Sequence, residues 1–310
     1  MKRTKTIRQT GKRAFLWILA GLLTVAAAVP VLAEEAPEEI RMAYEDFPRI
    51  DGSLACVPLC EALAQKATGC TEEQAEETMA DFTNTNPCYL KLAEGERDIL
   101  LVYEAADETK EALKEYDPLT MYPVGRDALV FIVNQDNPVD SITLEEARAI
   151  FTGEITNWKE VGGDDVEIEA FRRPETSGSQ TLMRKLLIGD APMIDERMEE
   201  VPSMEGIIER IRDYQNDANA VGYSVYYYAS SMHAQPDLKF LKVDGVMPSN
   251  DTIRSGEYPL VNDFYVVTNA QSSDNAIRLR DWLLTEEGQA FVEECGYVAA
   301  GVSEEETEVK

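Results

Sequence analysis

Hydrophobic residues along the chain follow two patterns, one with the spacing of an amphipathic helix and one of short, β-branched runs typical of buried strands. The helical spacing predicts helices at residues 58–66, 143–151, 180–187, 203–213 and 275–284. The apolar runs predict strands at residues 99–103, 128–133, 168–171, 221–228 and 264–268. Because strands alternate with helices, the sequence predicts an α/β protein with mostly parallel sheets and a ligand bound beyond the carboxyl ends of strands.

Local signals mark several ends of these elements. Thr143 followed by Glu146 is a capping box that begins a helix, and Pro58 suits the first turn of another. The turn-forming residues 134–138 end the strand at 128–133. The acidic tail at 304–310 is expected to be disordered.

The first 33 residues differ from the rest of the chain. A basic leader precedes an uncharged, apolar stretch at residues 14–33, which ends in small residues. This order is typical of a secretory signal peptide, so we predict that residues 1–33 are a signal peptide and that the protein is exported. The apolar stretch is nearly long enough to span a bilayer, and an uncleaved segment that tethers the protein to the membrane is the alternative.

Acidic residues outnumber basic residues by 58 to 29, which gives a formal net charge of −29. Such a surface repels nucleic acid and anionic membranes. It does not exclude a small anion, because a closed pocket acts through a few nearby donors while distant charges are screened. The five cysteines match no zinc-binding spacing and are expected to be small buried residues, although Cys56 and Cys60 are close enough on a helix to touch. We expect neither a metal nor a cofactor.

Three polar segments combine residue types that bind anions. Segment 173–181 leads from a predicted strand into a helix, and its small residues let backbone amides approach a ligand. Arg173, expected on a solvent-facing loop, can grip two oxygens of one tetrahedral anion. The second segment, 51–58, is a turn that opens a helix. The third combines the loop at 83–87 with Glu104, which follows a strand.

Two carboxylates accompany these donors. Phosphate near neutral pH still carries a proton, so Glu104 and Glu175 can each accept a hydrogen bond from a P–OH group. Sulfate has no such proton and would meet an unpaired negative charge. The two carboxylates therefore predict a protonated ligand over sulfate or molybdate.

Enzymatic activity finds little support in the sequence. His233 is the only histidine, and no nucleophile motif lies near it. The tyrosines at 226–228 are expected to pack on a strand. No Walker loop is present either. We therefore predict a binding protein and not an enzyme.

The order of several motifs resembles the phosphate-binding proteins that serve phosphate ABC importers, within the periplasmic-binding-protein superfamily. The resemblance extends from about residue 50 to residue 298. Its motifs are GRDALV at 125–130, NPV at 137–139, SITL at 141–144, IFTGEITNW at 150–158, RPETSGSQT at 173–181, EEGQ at 286–289 and GYV at 296–298.

Position by position, the resemblance implies ligand contacts from both halves of the chain. The implied residues are Ser53, Leu54, Cys56 and Val57 in the N-terminal turn, Thr85, Asn86 and Glu104 after it, and Arg173, Glu175, Ser177, Gly178 and Ser179 in the later loop. Cys56 falls where the family usually has a hydroxyl residue. Glutamate replaces aspartate at both carboxylate positions.

The resemblance also implies a type II fold of two α/β lobes joined by crossing strands, with the ligand cleft between them. We predict lobe I at residues 40–125 and 260–310, and lobe II at 126–259. The implied function is that of a monomer that captures inorganic phosphate or a related oxyanion for the membrane permease of an ABC importer. The alternative is an exported sensor or surface interaction module that binds a different anion or none.

Overall fold

The computed structural model describes residues 39–193, 199–213, 217–302 and 307–309, which belong to one compact unit. The predicted signal peptide at residues 1–33 lies outside these residues. Across the described ranges, no helix has the length and apolar character needed to cross a membrane.

The strands of the described residues are mostly short, with one long exception. They are β1 Ile50–Gly52, β2 Ile99–Val102, β3 Leu119–Asn134, β4 Ser141–Ile142, β5 Glu169–Arg172, β6 Glu199–Glu200, β7 Ala220–Val225, β8 Leu238–Phe240, β9 Lys242–Val243, β10 Val261–Thr268, β11 Val298–Ala299 and β12 Thr307–Val309.

The α-helices lie between these strands and pack apolar faces onto them. They are α1 Val57–Thr68, α2 Glu72–Thr78, α3 Thr85–Ala93, α4 Asp107–Leu113, α5 Leu144–Thr152, α6 Gly178–Met183, α7 Met204–Asp213, α8 Asn250–Ser255, α9 Asp274–Leu283 and α10 Glu286–Glu294. A π-helical turn, Arg184–Ile188, continues α6. The predicted capping box at Thr143 and Glu146 begins α5, which ends at the left-handed Gly153.

The long strand β3 belongs to both halves of the main sheet. Its residues 120–128 pair antiparallel with β10, and its residues 129–133 pair antiparallel with β7. Beyond β10 the sheet continues through β2 to β1, and beyond β7 it continues through β5 to β6. Strands β8, β11 and β12 also pair with β3, whereas β4 and β9 form a separate parallel pair.

The prediction of mostly parallel sheets is wrong. Parallel pairing is confined to β1 with β2, β5 with β6 and β7, and β4 with β9, whereas β3 and β10 run antiparallel to all their neighbours. The sequence missed residues 119–127 of β3 because polar side chains interrupt the apolar run there. The expected disorder of the tail is also wrong for Thr307–Val309, which forms β12.

The tyrosine run at 226–228 does not lie on a strand as predicted. Strand β7 ends at Val225, and Tyr228 begins a π-helical turn that ends at Met232. Tyr227 stacks on Tyr297 with ring centroids 3.5 Å apart. The tyrosines therefore pack, but beyond the end of the strand.

Asp127 lies on β3 just before the strand passes from β10 to β7, and its side chain is buried. Its carboxylate accepts hydrogen bonds from the hydroxyl of Tyr103 at 2.7 Å, from the amide of Ala128 at 2.7 Å and from the amide of Tyr227 at 3.1 Å. Tyr103 follows β2 and Tyr227 follows β7, so this one side chain connects both halves of the sheet. Burial raises the pKa of Asp127 to about 6, although the three hydrogen bonds oppose the shift.

Replacing Asp127 with asparagine should remove a defined pH dependence of stability. The folded carboxyl holds its proton more tightly than the unfolded one, so this group loses stabilising free energy as the pH rises from about 4 to about 6. The free energy of unfolding of Asp127→Asn minus that of the native protein should therefore rise by roughly 2–3 kcal/mol over this interval. Urea unfolding at a series of pH values measures it.

Asp251→Asn, which makes the same change at an exposed carboxylate on α8, provides the control for the substitution itself. A difference that stays flat or falls with pH for Asp127→Asn would contradict the assignment.

Candidate anion-binding site

The turn after β1 places Ser53 at the end of the first parallel strand pair. A Cβ atom at Gly52 would overlap the carbonyl of Leu101, so only glycine permits this close approach of β1 to β2. The Ser53 hydroxyl accepts a hydrogen bond from the amide of Tyr103 at 3.1 Å and lies 2.8 Å from the Thr85 hydroxyl. Two predicted donors from separate segments therefore meet here.

Asp51 fixes the loop that leads into α3. Its buried carboxylate accepts hydrogen bonds from the amide of Thr83 at 2.8 Å, the hydroxyl of Thr83 at 2.7 Å and Nε of Arg97 at 3.2 Å. These contacts hold Thr85 at the first residue of α3, facing Ser53.

The loop at 173–179 packs directly on this pair. A Cβ atom added at Gly178 would lie less than 3.0 Å from the hydroxyl oxygen of Thr85. Cβ atoms in real structures do not come this close to a neighbouring atom. Asn86 donates a hydrogen bond from Nδ2 to the carbonyl of Thr176 at 2.8 Å, and its Oδ1 accepts one from the amide of Ala106 at 2.7 Å. The structure thus brings all three predicted segments together.

Arg173 is the most buried charged side chain of this loop, with 2% of its surface exposed. The expectation that it faces solvent is wrong, because the loop folds back onto β7 and the amide of Arg173 donates to the hydroxyl of Tyr223 at 2.9 Å. Its Nη1 donates to the carbonyl of Val201 at 3.0 Å, whereas its buried Nε has no partner among the residues that the structure describes. No carboxylate among the described residues pairs with it. Burial lowers the pKa of Arg173.

The serines of the loop differ in their contacts. Ser177 caps α6, because its hydroxyl accepts from the amide of Gln180 at 3.3 Å. The Ser179 hydroxyl is buried and has no hydrogen-bond partner in the described part of the chain. One short segment thus holds two buried donors without hydrogen-bond partners, Nε of Arg173 and the hydroxyl of Ser179. Such donors are rare in folded proteins.

The two predicted carboxylates are both paired with cations. Glu104 accepts from Nζ of Lys185 and, at 3.2 Å, from the hydroxyl of Tyr265. Glu175 is exposed and binds Arg184 through two hydrogen bonds, at 2.7 and 3.2 Å. Burial alone would raise the pKa of Glu175, but the bonds from Arg184 hold it below its ordinary value. A role in binding the ligand's proton stays a prediction for both.

The remaining predicted residues, at 54–57, are held by backbone hydrogen bonds and by packing in the core. The turn Leu54–Cys56 leads into α1, and the amide of Cys56 donates to the Ser53 carbonyl at 2.7 Å. The Cys56 side chain is fully buried in the hydrophobic core, and burial raises the pKa of its thiol. Val57 packs against the same core. All five cysteines are free thiols.

Lys185 is the residue that sequence reasoning missed. It lies on the π-helical turn after α6 and donates to Glu104, and at 2.8 Å to Oδ1 of Asn262 on β10. Its sequence signal is weak: Arg184 and Lys185 are adjacent cations, six and seven residues after Gly178, in a strongly acidic chain.

A cleft of about 620 Å³ lies beside Glu104 and Lys185. Its lining includes Glu104, Lys110, Glu175, Thr181, Arg184 and Lys185. Among the described residues no group of histidine, cysteine and carboxylate side chains could hold a metal ion. The donors that the three segments bring together are a guanidinium, hydroxyls and backbone amides, which are groups that can bind a small anion.

Comparison with known proteins gives consistent matches. A family model described as a PBP superfamily domain matches residues 61–292. The phosphate-binding protein PstS of Bacillus subtilis is 27% identical over 299 residues, which cover 96% of this chain and 95% of that protein. PstS of Borreliella burgdorferi is 29% identical over 204 residues, covering 64% and 71%.

Solved structures agree on the fold. A protein of Clostridium perfringens, assigned as a phosphate ABC transporter substrate-binding protein and solved with phosphate, matches with a TM-score of 0.64 and 23% identity over 81% of this chain and 98% of that one. An ABC-type phosphate transport receptor of Vibrio cholerae matches with a TM-score of 0.59 and 22% identity over the same shares. These likenesses confirm the predicted two-lobed solute-binding fold. The predicted lobe boundaries stay a prediction.

Substitution of Gly178 by alanine should weaken anion binding. The added Cβ would force the loop away from Thr85, and overpacking of this kind costs about 1–3 kcal/mol, or about 5- to 150-fold in Kd. Calorimetric titration with inorganic phosphate measures the loss, and circular dichroism verifies that the variant is folded.

Thr176→Ala is the matched control, because the exposed Thr176 contributes its backbone carbonyl and not its side chain to the contact with Asn86. If Gly178→Ala bound phosphate as tightly as the control, the loop would not form part of the site.

Proposed function

Because this chain belongs to the PBP superfamily, we propose that it is an exported solute-binding protein that holds inorganic phosphate or a related tetrahedral oxyanion between two lobes and delivers it to an ABC importer. The relatives of this chain named above are phosphate-binding proteins and phosphate transport receptors. They are binding proteins by name, in agreement with the prediction that this chain is not an enzyme.

The observation that carries the proposal is the buried guanidinium of Arg173. A charge removed from water without a counter-charge is costly, and a bound anion offsets that cost. The unpartnered Nε of Arg173 and the unpartnered hydroxyl of Ser179 are donors of the kind that a tetrahedral oxyanion satisfies. The adjoining hydroxyls of Ser53 and Thr85 offer further donors from the opposite segments.

We propose that the ligand favours closure of the two lobes because neither lobe alone offers a complete set of donors. Residues 40–125 with 260–310 would form one lobe and 126–259 the other. Ser53, Thr85 and Asn86 then belong to the first lobe, and the loop at 173–179 belongs to the second. The contact of Asn86 with the Thr176 carbonyl would form only on closure.

The same proposal also covers the location of the protein and its partners. Export through the segment at residues 1–33 would place the protein outside the cytoplasm, either free or tethered. A monomer that closes around its ligand would present a recognisable surface to the permease. The strongly acidic composition fits the absence of a nucleic-acid partner.

Titration of the refolded protein with phosphate tests the function, since unfolding and refolding remove any anion carried through purification. Arg173→Met should abolish the measured binding. The same substitution removes a buried charge that has no ion-pair partner among the described residues, so the ligand-free variant should be at least as stable as the native protein. Phosphate should raise the melting temperature of the native protein and leave that of the variant unchanged.

Arg210→Met is the control, since Arg210 lies on α7 and pairs with Glu199 at 2.5 Å. It should bind phosphate normally. Native-like phosphate binding by Arg173→Met would show that the site lies elsewhere. A native protein that bound no phosphate would favour the alternative of a sensor or interaction module.

A further inference from the structure

We propose that Lys185 is a latch that holds the two lobes closed around the bound anion and sets the rate at which the anion is released. The inference rests on the function proposed above and on its two lobes. With residues 40–125 and 260–310 as one lobe and 126–259 as the other, Lys185 lies in the second lobe. Both groups that accept its hydrogen bonds lie in the first.

The two acceptors stand at neighbouring strands of the first lobe. Glu104 lies just after β2 and accepts from Nζ of Lys185 through Oε1. Asn262, on the adjacent strand β10, accepts from the same Nζ through Oδ1 at 2.8 Å. The Asn262 side chain is buried, with 4% of the residue exposed. One ammonium group thus bridges two strands of the opposite lobe through a charged acceptor and a neutral one.

Lys185 is joined to the anion-binding loop by a continuous helical segment. Helix α6, Gly178–Met183, begins in that loop, and the π-helical turn that carries Lys185 continues it. At the start of the segment, the carbonyl of Thr176 accepts a hydrogen bond from Asn86 of the first lobe at 2.8 Å. The first lobe therefore holds this segment at both ends, and Lys185 provides the contact at the far end.

Glu104 keeps other partners when the lobes separate. Nζ of Lys110, on α4 of the same lobe, lies 3.8 Å from its Oε2. The hydroxyl of Tyr265, also of that lobe, donates to Oε1 at 3.2 Å. Opening therefore replaces a contact between lobes by contacts within one lobe and leaves no carboxylate without a cation. This exchange makes the latch reversible, as a protein that must release its ligand requires.

A contact that exists only in the closed form acts mainly on release. The anion enters the open form, in which Lys185 and its acceptors are apart, whereas its release requires that the lobes separate and these bonds break. A hydrogen bond to a charged group contributes about tenfold or more, and solvent reduces that contribution. The side chains of Lys185 and Glu104 are 40% and 22% exposed, so we expect a total effect of about tenfold on the release rate.

Release of radiolabelled phosphate from the refolded protein tests the inference, with excess unlabelled phosphate as the chase and rapid filtration as the readout. Lys185→Met should release phosphate about tenfold faster than the native protein. The association rate, calculated from the release rate and the calorimetric Kd, should stay within about twofold of native. Lys159→Met is the matched control, because Lys159 pairs with Asp165 of its own lobe at 2.7 Å, and it should release phosphate at the native rate.

Asn262→Ala distinguishes a latch from a direct attraction between the lysine and the anion, because it removes one acceptor of Lys185 and leaves every charge in place. Alone, it should speed release by about threefold. Combined with Lys185→Met, it should cause no further change, since the bond that it removes is already lost. Circular dichroism verifies that each variant is folded.

A native release rate in Lys185→Met or in Asn262→Ala would overturn the inference and leave the proposed function intact. So would a Lys185→Met variant that loses affinity through slower association, because the lysine would then act on the anion and not on the lobes. A native protein that binds no phosphate would overturn both.

Discussion

The side chain of Arg173 carries a positive charge into a position where 2% of its surface reaches solvent and no described carboxylate forms an ion pair with it. Most folded proteins avoid this arrangement, because removing an ion from water costs several kcal/mol unless a partner is supplied. Here the hydroxyl of Tyr223 holds the backbone amide of Arg173, and the carbonyl of Val201 accepts from Nη1, whereas Nε has no hydrogen-bond partner among the described residues. The arrangement suits a protein whose counter-ion arrives as the ligand.

The long strand β3 joins the half of the sheet that leads to Arg173 to the half that leads to Ser53. One continuous strand pairs first with β10 and then with β7, so the two halves of the sheet share a common element. Asp127 lies at that crossover and joins residues after β2 and after β7. The hydroxyls of Ser53 and Thr85 on one side of β3 meet the loop of Gly178 on the other side.

Much of this protein follows from local sequence. Periodicity predicts most helices and strands, and side-chain caps such as Thr143 fix helix starts, because these features depend on residues within one or two turns of each other. The glycine of the anion loop and the order of motifs likewise indicate where an oxyanion would be bound. The first half of β3 escaped prediction, since its polar residues hide a strand that only pairing on both edges stabilises.

The pairing of charges was decided by the tertiary structure alone. Glu104 and Lys185 are 81 positions apart, and no pattern along the chain brings them into contact. The burial of Arg173 depends in the same way on the return of its loop onto β7. The sequence therefore determined which residue types stand in the anion-binding segments. Only the fold determined which carboxylates already hold a cation and which cation still lacks an anion, because electrostatic energy depends on distances between groups that the chain order leaves open.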